Sequence, residues 1–418
     1  MGCVVDTYLD LIACRMSYLP GNTLLPAEEA DASLATLSPL TLPSNRKVII
    51  LASNHVNDHS LFLNGLTQNI VILYDLFDSL GFRSYLLQHQ ADPVERKSFL
   101  NSYRTISTHE MIARSMPIHA FIEIGMSVDA GTRGYLRSVG AKIVKLYLGN
   151  IINIDIETIQ NFKSMFFYHH IVGEIDEIWT SPHYYQHVEY AAILNRTESK
   201  NSRVVPYVWD PCFLTQYGSR DTMEWIAPAP ASAAPTATAW HQMDIVIMDP
   251  NISFQKCYFY SLLLAEAFSK RYPEWQGKVV MINGDRIKLS AHSWRHVIPE
   301  LTLFQQGRVI LHGRKNIHTI LKENRSACFM THQWNNDYNY ATLELLYCHY
   351  PILHNSEGWS DTGYYYSIND WEAAIATLHR AMSCHKENLP IYRSHAANLI
   401  WKHSIHNPSI QARWRAFI

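Results

Sequence analysis

The chain has 418 residues, of which 47% are hydrophobic and 17% charged, and carries a formal net charge of −2. That length exceeds one ordinary core and favours two domains of about 150–200 residues. The near-neutral charge argues against nucleic acid or an anionic membrane as a general partner, and a small neutral or anionic ligand fits better. Seven scattered cysteines, none spaced C-x-x-C, read as reduced thiols of a cytoplasmic protein. No window approaches the roughly 18 consecutive apolar residues of a transmembrane segment.

Residues 1–46 read as an irregular N-terminal arm. Met1-Gly2-Cys3 is an acylation-like start, with Asp6 where Ser or Thr is usual. From there strand and helix signals alternate, the pattern of a parallel sheet wrapped by helices. The first strand is Lys47 to Ala52, followed by a polar loop and a helix from about Leu61 to Leu80 that ends at Gly81. Further strands are expected at Arg83 to Leu87, His119 to Ile124, Lys142 to Leu148, Glu177 to Thr180 and Val204 to Val208, which makes 47–225 one Rossmann-like domain. Residues 226–240, IAPAPASAAPTATAW, hold four prolines and few large apolar side chains, so 226–242 reads as a linker. A second βα series fills 243–368, with strands at Asp244 to Met248, Lys278 to Ile282, Arg308 to Leu311, Ala327 to Met330 and Pro351 to Leu353. Residues 369–418 read as helical, with Trp371, Ala374, Ile375 and Leu378 on one face.

Ligands of α/β sheets gather beyond the carboxyl ends of the strands, so the loops there carry the candidate chemistry. The stretch Thr331 to Ser356 is a strand end, a polar loop, a helix, a short strand and a second polar loop in sequence. Asn339 is placed to cap that helix, which carries one acid, Glu344. Trp334 could stack on a sugar or base, or simply pack; Asn355 and Ser356 could meet sugar hydroxyls or phosphate, or simply form a turn. Asn251 leaves the first strand of the second series and Lys256 stands where its helix begins, while Arg314 and Lys315 follow the third strand; these cations suit a diphosphate. Histidine pairs His169-His170 and His183/His187 lack a third ligand at telling spacing, so no metal site is expected. Gly-x-x-x-x-Gly-Lys-Ser/Thr and a G-x-G-x-x-G after the first strand of either series are absent, which lowers the weight of phosphoryl and hydride transfer.

The order of the Thr331 to Ser356 stretch resembles the donor-binding segment of GT-B glycosyltransferases, where a helical glutamate precedes a turn and Pro-hydrophobic-hydrophobic, here Pro351, Ile352 and Leu353. The chain also looks like a little-characterised GT-B-related family of bacteria and large viruses. The matching pieces are Asn64-Gly65, Gly140 to Val144, Gly149-Asn150, Val205 to Pro211, Asp249 to Asn251, His332 to Trp334, Asn339-Tyr340 and His354 to Ser356. The resemblance implies two Rossmann-like domains with a cleft between them and a C-terminal helix crossing back to the first. It implies a sugar-nucleotide site in the second domain, where Glu344 takes the place of the ribose-binding acid and Lys256 that of a phosphate-contacting lysine. His332, Trp334, Asn336, Asn339, Tyr340, Asn251, Arg314, Asn355 and Ser356 complete that site. Asn336 stands where the first motif glutamate is expected. For Glu344 a solvent-facing helix position is the alternative reading.

The implied activity is metal-independent glycosyl transfer from a nucleotide sugar to a glycan or other hydroxyl acceptor, with no cofactor beyond the nucleotide-sugar co-substrate. The acceptor falls to the first domain, where Asn64 and Gly65 allow close backbone approach and His55, Asp58 or Asp129 is the candidate base. A sugar-nucleotide epimerase of the same fold and an inactive nucleotide- or glycan-binding protein are the alternatives.

Overall fold

The computed structural model describes residues 46–53, 56, 61, 65–88, 99–161, 174–216, 218–229, 239–251 and 253–418. The chain divides into two compact units, Met1–Val208 with Ile405–Ile418, and Trp209–Ser404. Each unit is an α/β domain built on one parallel sheet.

In the first unit the order along the chain is β1 (Val48–Ala52), α1 (Gly65–Ser79), β2 (Arg83–Gln88), β3 (Thr105–Ser107), α2 (Thr108–Ala113), β4 (Ala120–Ile124), α3 (Ala130–Ser138), β5 (Lys142–Tyr147), α4 (Ile151–Asn161), β6 (Glu177–Thr180), α5 (Val188–Leu194) and β7 (Ser202–Val204). The strands lie side by side as β3-β2-β1-β4-β5-β6-β7. All five residues of β1 are buried, as an apolar strand covered on both faces requires. Their order reverses between β1 and β4, which makes that pair the topological switch point.

The second unit runs α6 (Cys212–Thr215), β8 (Ile245–Ile247), α7 (Tyr258–Arg271), β9 (Val279–Met281), α8 (Thr302–Gln305), β10 (Val309–Leu311), α9 (Ile317–Glu323), β11 (Cys328–Met330), α10 (Tyr340–Tyr347), β12 (Ile352–His354), β13 (Tyr364–Tyr365), α11 (Trp371–Ser383) and α12 (His385–His403). The sheet order β10-β9-β8-β11-β12-β13 reverses between β8 and β11. The last helix, α13 (Pro408–Arg415), packs in the first unit, with Trp414 edge-on to Phe77 and Trp179 at 5.6 Å each.

Three expectations change. The strand expected at Val204 to Val208 lies earlier, at Ser202–Val204, because Pro206 cannot donate to a ladder. The expected division at residue 225 falls instead after Val208. Trp225 N–H donates to the Cys348 carbonyl at 3.0 Å and the side chains of Met223 and Trp225 are buried, so this stretch is anchored in the second unit. Of the helical tail 369–418, residues up to Ser404 belong to the second unit and only the rest returns to the first. Most of the expected linker, 230–238, lies outside the described residues.

Candidate functional site

The switch point of the second sheet gathers the loop after β8 and the loop after β11. Asp249, two residues beyond β8 and 1% exposed, is the acceptor on which both converge. Thr331 Oγ1 and Gln333 Nε2 donate to its Oδ1 at 2.7 and 2.6 Å, and Ser261 Oγ of α7 and the His332 N–H to its Oδ2 at 3.3 and 3.4 Å. Burial pushes the Asp249 carboxyl up to about 7, against the pull of these hydrogen bonds and of the Lys256 charge.

Gln333 is the second node. Its backbone N–H donates to Asn355 Oδ1 and its carbonyl accepts from Asn355 Nδ2, both at 2.8 Å, while its Oε1 accepts from Asn336 Nδ2 at 2.8 Å. The ends of β11 and β12 are thereby tied by a reciprocal amide pair. Trp334 N–H donates to the Gln255 carbonyl at 3.0 Å, which fixes the loop after β11 to the turn before α7.

His332 is fully buried and stacks on Tyr260 with ring centroids 3.6 Å apart. Its Nδ1 is paired with the Tyr366 hydroxyl at 2.7 Å, and its Nε2 has no partner among the described residues. Burial holds its pKa down at about 4, so the ring is neutral near pH 7. Ser356, also buried, gives its N–H to His354 Nδ1 at 3.2 Å and leaves Oγ without a partner among the described residues. These two open atoms stand at the ends of adjacent strands, β11 and β12.

Lys256 occupies the turn between β8 and α7 and is half-buried. Loss of water lowers its pKa, and the Asp249 charge partly restores it. Its ammonium makes no hydrogen bond or ion pair with a described residue. Arg314 is exposed beyond β10, the edge strand and so two strands away from β8; its neighbour Lys315 pairs with Glu323 at 2.5 Å.

Glu344 is 7% exposed within α10, which removes the solvent-facing alternative. Asn339 caps α10 through the Ala341 N–H, as its place in the sequence predicts, and Tyr340 is the first residue of the helix. Trp334 is half-buried and edge-on to His332 at 5.0 Å and to Tyr260 at 6.3 Å, so packing accounts for part of its ring.

Several expected ligand contacts have other work in this structure. Asn355 and Asn336 spend amide groups on Gln333. Asn251, at φ 54°, accepts from Tyr258 N–H at 2.7 Å and donates to the Asn283 carbonyl at 3.2 Å, bracing two loops. Asn251 and Asn355 satisfy main-chain groups and Asn336 the Gln333 side chain, since leaving such groups buried and open is costly.

In the first unit, Asp129 is the N-cap of α3, accepting from Thr132 N–H at 2.9 Å and Thr132 Oγ1 at 2.7 Å. Although burial alone would raise it, these hydrogen bonds hold its pKa below the usual value, which disfavours it as a base. His55, Asp58 and Asn64 lie outside the described residues; Gly65 opens α1, where its carbonyl accepts from Asn69 Nδ2 at 3.4 Å. His187 stacks on Tyr184, and among the described residues no group of three His, Cys, Asp or Glu could hold a metal ion.

Sequence reasoning passed over Asp249 and Gln333 as site residues, and a buried trio in the first unit. Glu123 on β4 is bound by Arg133 at 2.8 Å and Lys145 of β5 at 3.4 Å, with all three side chains nearly inaccessible. The available signal was a charge inside an otherwise apolar strand, AFIEI and KIVKLY.

Known structures resemble this architecture. Sucrose-phosphate synthase from Thermosynechococcus elongatus aligns over 89% of this chain and 98% of its own, at 10% identity and a TM-score of 0.55. Anabaena HepE in complex with UDP-glucose aligns over 88% and 99%, at 10% identity and 0.55. The trehalose 6-phosphate synthase of Burkholderia multivorans aligns over 89% and 99%, at 11% identity and 0.52. These are GT-B glycosyltransferases, and at such identity the likeness establishes the GT-B fold alone. No curated protein matches the chain. The family model described as "Protein of unknown function (DUF2827)" matches residues 49–418, and the chain belongs to that family.

Proposed function

We propose that the protein is a glycosyltransferase that takes its sugar from a nucleotide sugar held at the switch point of the second sheet. The observation that carries this reading is that the loops at this switch point carry Lys256, which has no ion pair with a described residue, and His332 and Ser356, whose Nε2 and Oγ have no partner among the described residues. Such a site offers a cation for a diphosphate and neutral polar atoms for hydroxyls, in a fold whose relative HepE is known with UDP-glucose. Glu344 binds the ribose, accepting charge-assisted hydrogen bonds from its hydroxyls. Lys256 stabilises the departing diphosphate without a metal. Acceptor recognition falls to the first unit, to a glycan or another hydroxyl compound.

A nucleotide-binding protein without transferase activity is the second reading. It is favoured by Asn336, an amide in place of the motif acid, buried and donating to Gln333.

Both readings face one experiment: thermal shift and sugar release with UDP-, GDP-, dTDP- and ADP-glucose. Stabilisation by one of them, reduced about 10–100-fold in apparent affinity by Lys256→Ala, is expected, since a hydrogen bond to a charged group is worth about 1.5–3 kcal/mol. Binding without sugar release to any acceptor supports the second reading. No stabilisation by any of the four sinks both.

A further inference from the structure

Asp249 is approached from three directions, by Ser261 on α7, by Thr331, His332 and Gln333 beyond β11, and electrostatically by Lys256 in the turn after β8. Its hydrogen-bond partners are of two kinds. The His332 N–H and the Gln333 amide can only donate, whereas the hydroxyls of Ser261 and Thr331 can donate or accept. The carboxyl can therefore be held with a proton, one hydroxyl turning to accept it, or without one.

The titratable groups facing it are few. Lys256 is the cation that acts on it. Cys257 and Tyr366 both feel its charge, and both are pushed upward first by burial, so they stay neutral near pH 7. His332 is neutral there too. The negative charge of Asp249 is thus balanced by one ammonium, at a place with little water to share the work.

We propose that Asp249 is a positioning residue of the sugar-nucleotide site, and that its carboxyl takes up a proton from solvent when a nucleoside diphosphate engages Lys256. The inference rests on the function proposed above. A diphosphate brings negative charge to the ammonium that offsets Asp249, and in a low-dielectric interior the two anions cannot both stand beside it at little cost. Protonating the carboxyl removes the conflict and leaves the ties to Thr331 and Gln333 in place. The sign follows from a free carboxyl half-protonated near pH 7 and a bound one protonated to higher pH. Binding is then strongest below about pH 6.5 and weakens by up to about tenfold per pH unit above 7.

The test is calorimetric titration of the full chain with UDP-, GDP-, dTDP- and ADP-glucose, whose diester phosphates do not titrate near neutrality. At pH 7, two buffers of different ionisation heat should reveal uptake of a fraction of a proton for the sugar nucleotide that binds. Asp249→Asn should bind with no uptake and with an affinity that no longer falls above pH 7, which a merely structural role would not produce. Thr331→Val keeps the carboxyl and removes a hydrogen bond that lowers its pKa, so uptake should shrink at pH 7 and grow at pH 8; this variant decides the matter if the Asn variant does not fold. Binding with equal heats in both buffers overturns the proposal and leaves the proposed function standing, as does uptake that persists in Asp249→Asn. Failure of all four sugar nucleotides to bind overturns the function and this inference together.

Discussion

The two sheets reverse their strand order in the same way, between β1 and β4 and between β8 and β11, yet the strand ends beside the two reversals are built differently. In the first unit, the buried charges beside the reversal pair with one another by contact. Glu123 accepts from Arg133, Lys145 and the Val128 N–H, and Lys145 also bonds the Met126 carbonyl and Ser127, so these charges are paired among themselves and tied to the loop beyond β4. In the second unit a buried acid is likewise surrounded by donors, but its cation is not paired to it by contact, and His332 and Ser356 keep unpartnered polar atoms. The lesson is that burying charge does not by itself mark a site. The structural cluster pairs its charges by contact, whereas the candidate site holds a cation that has no ion pair with a described residue.

The largest test of that contrast is Glu123→Ala. It strands the ammonium of Lys145 and the guanidinium of Arg133 in an interior where their side chains are 1% and 4% exposed. Breaking such a pair costs about 3–5 kcal/mol. Urea unfolding should record a loss of that order. A loss under 1 kcal/mol would mean the cluster is hydrated and open, and the distinction between the two sheets would collapse.

An intermediate effect comes from acid. The second unit buries His332, His354 and His385, each with its pKa pushed down to about 4 by burial. Unfolding exposes them at their ordinary 6.5, so between pH 6.5 and 4 the unfolded state binds three more protons there. Asp249 works the other way over much of this window, because its raised pKa makes the folded state hold a proton that the unfolded chain releases. These four groups together take up protons on unfolding, three against one, so stability falls as pH drops from 6.5 toward 4. In the first unit, burial lowers His119 and His187. Urea unfolding at pH 6.5, 5.5 and 4.5 should show the second unit becoming the weaker one. His354→Gln should flatten the slope by about one proton, and an unchanged slope would mean that this ring is not the neutral, doubly bonded group its contacts to Thr362 and Ser356 describe.

The sequence carried the frame more fully than the site. Apolar runs bounded by turn residues located most strands to within a residue or two, since a strand buried on both faces is built mainly of apolar side chains. The short edge strands β3 and β13 escaped because three polar-flanked residues and a Tyr pair carry no period. At the site, Asn339 was legible as a cap because capping depends on neighbours in sequence. The partners of Asn251, Asn336 and Asn355 were not. An amide beside a strand end suits a ligand or a loop equally well, and which it serves is settled by residues far away in the chain, such as Gln333 for Asn355 at a separation of 22 positions. Asp249 was passed over for the same reason, its importance arising from donors 82 to 84 positions away.

The smallest effect concerns Asp129, the acid whose strand-end position in the first unit suggested a catalytic base. Its oxygens are committed to the first turn of α3, and hydrogen bonds to Thr132 lower its pKa despite the opposing effect of burial. Losing an N-cap costs about 1 kcal/mol. Asp129→Ala should therefore lower the unfolding midpoint slightly, and Asp129→Asn, which can still accept from Thr132, should recover most of the loss. Neither should change the turnover of a transferase reaction by more than about twofold. A drop of several hundredfold in Asp129→Asn, with the midpoint unchanged, would return this residue to the role of base and require the first sheet's strand ends to be as functional as the second's.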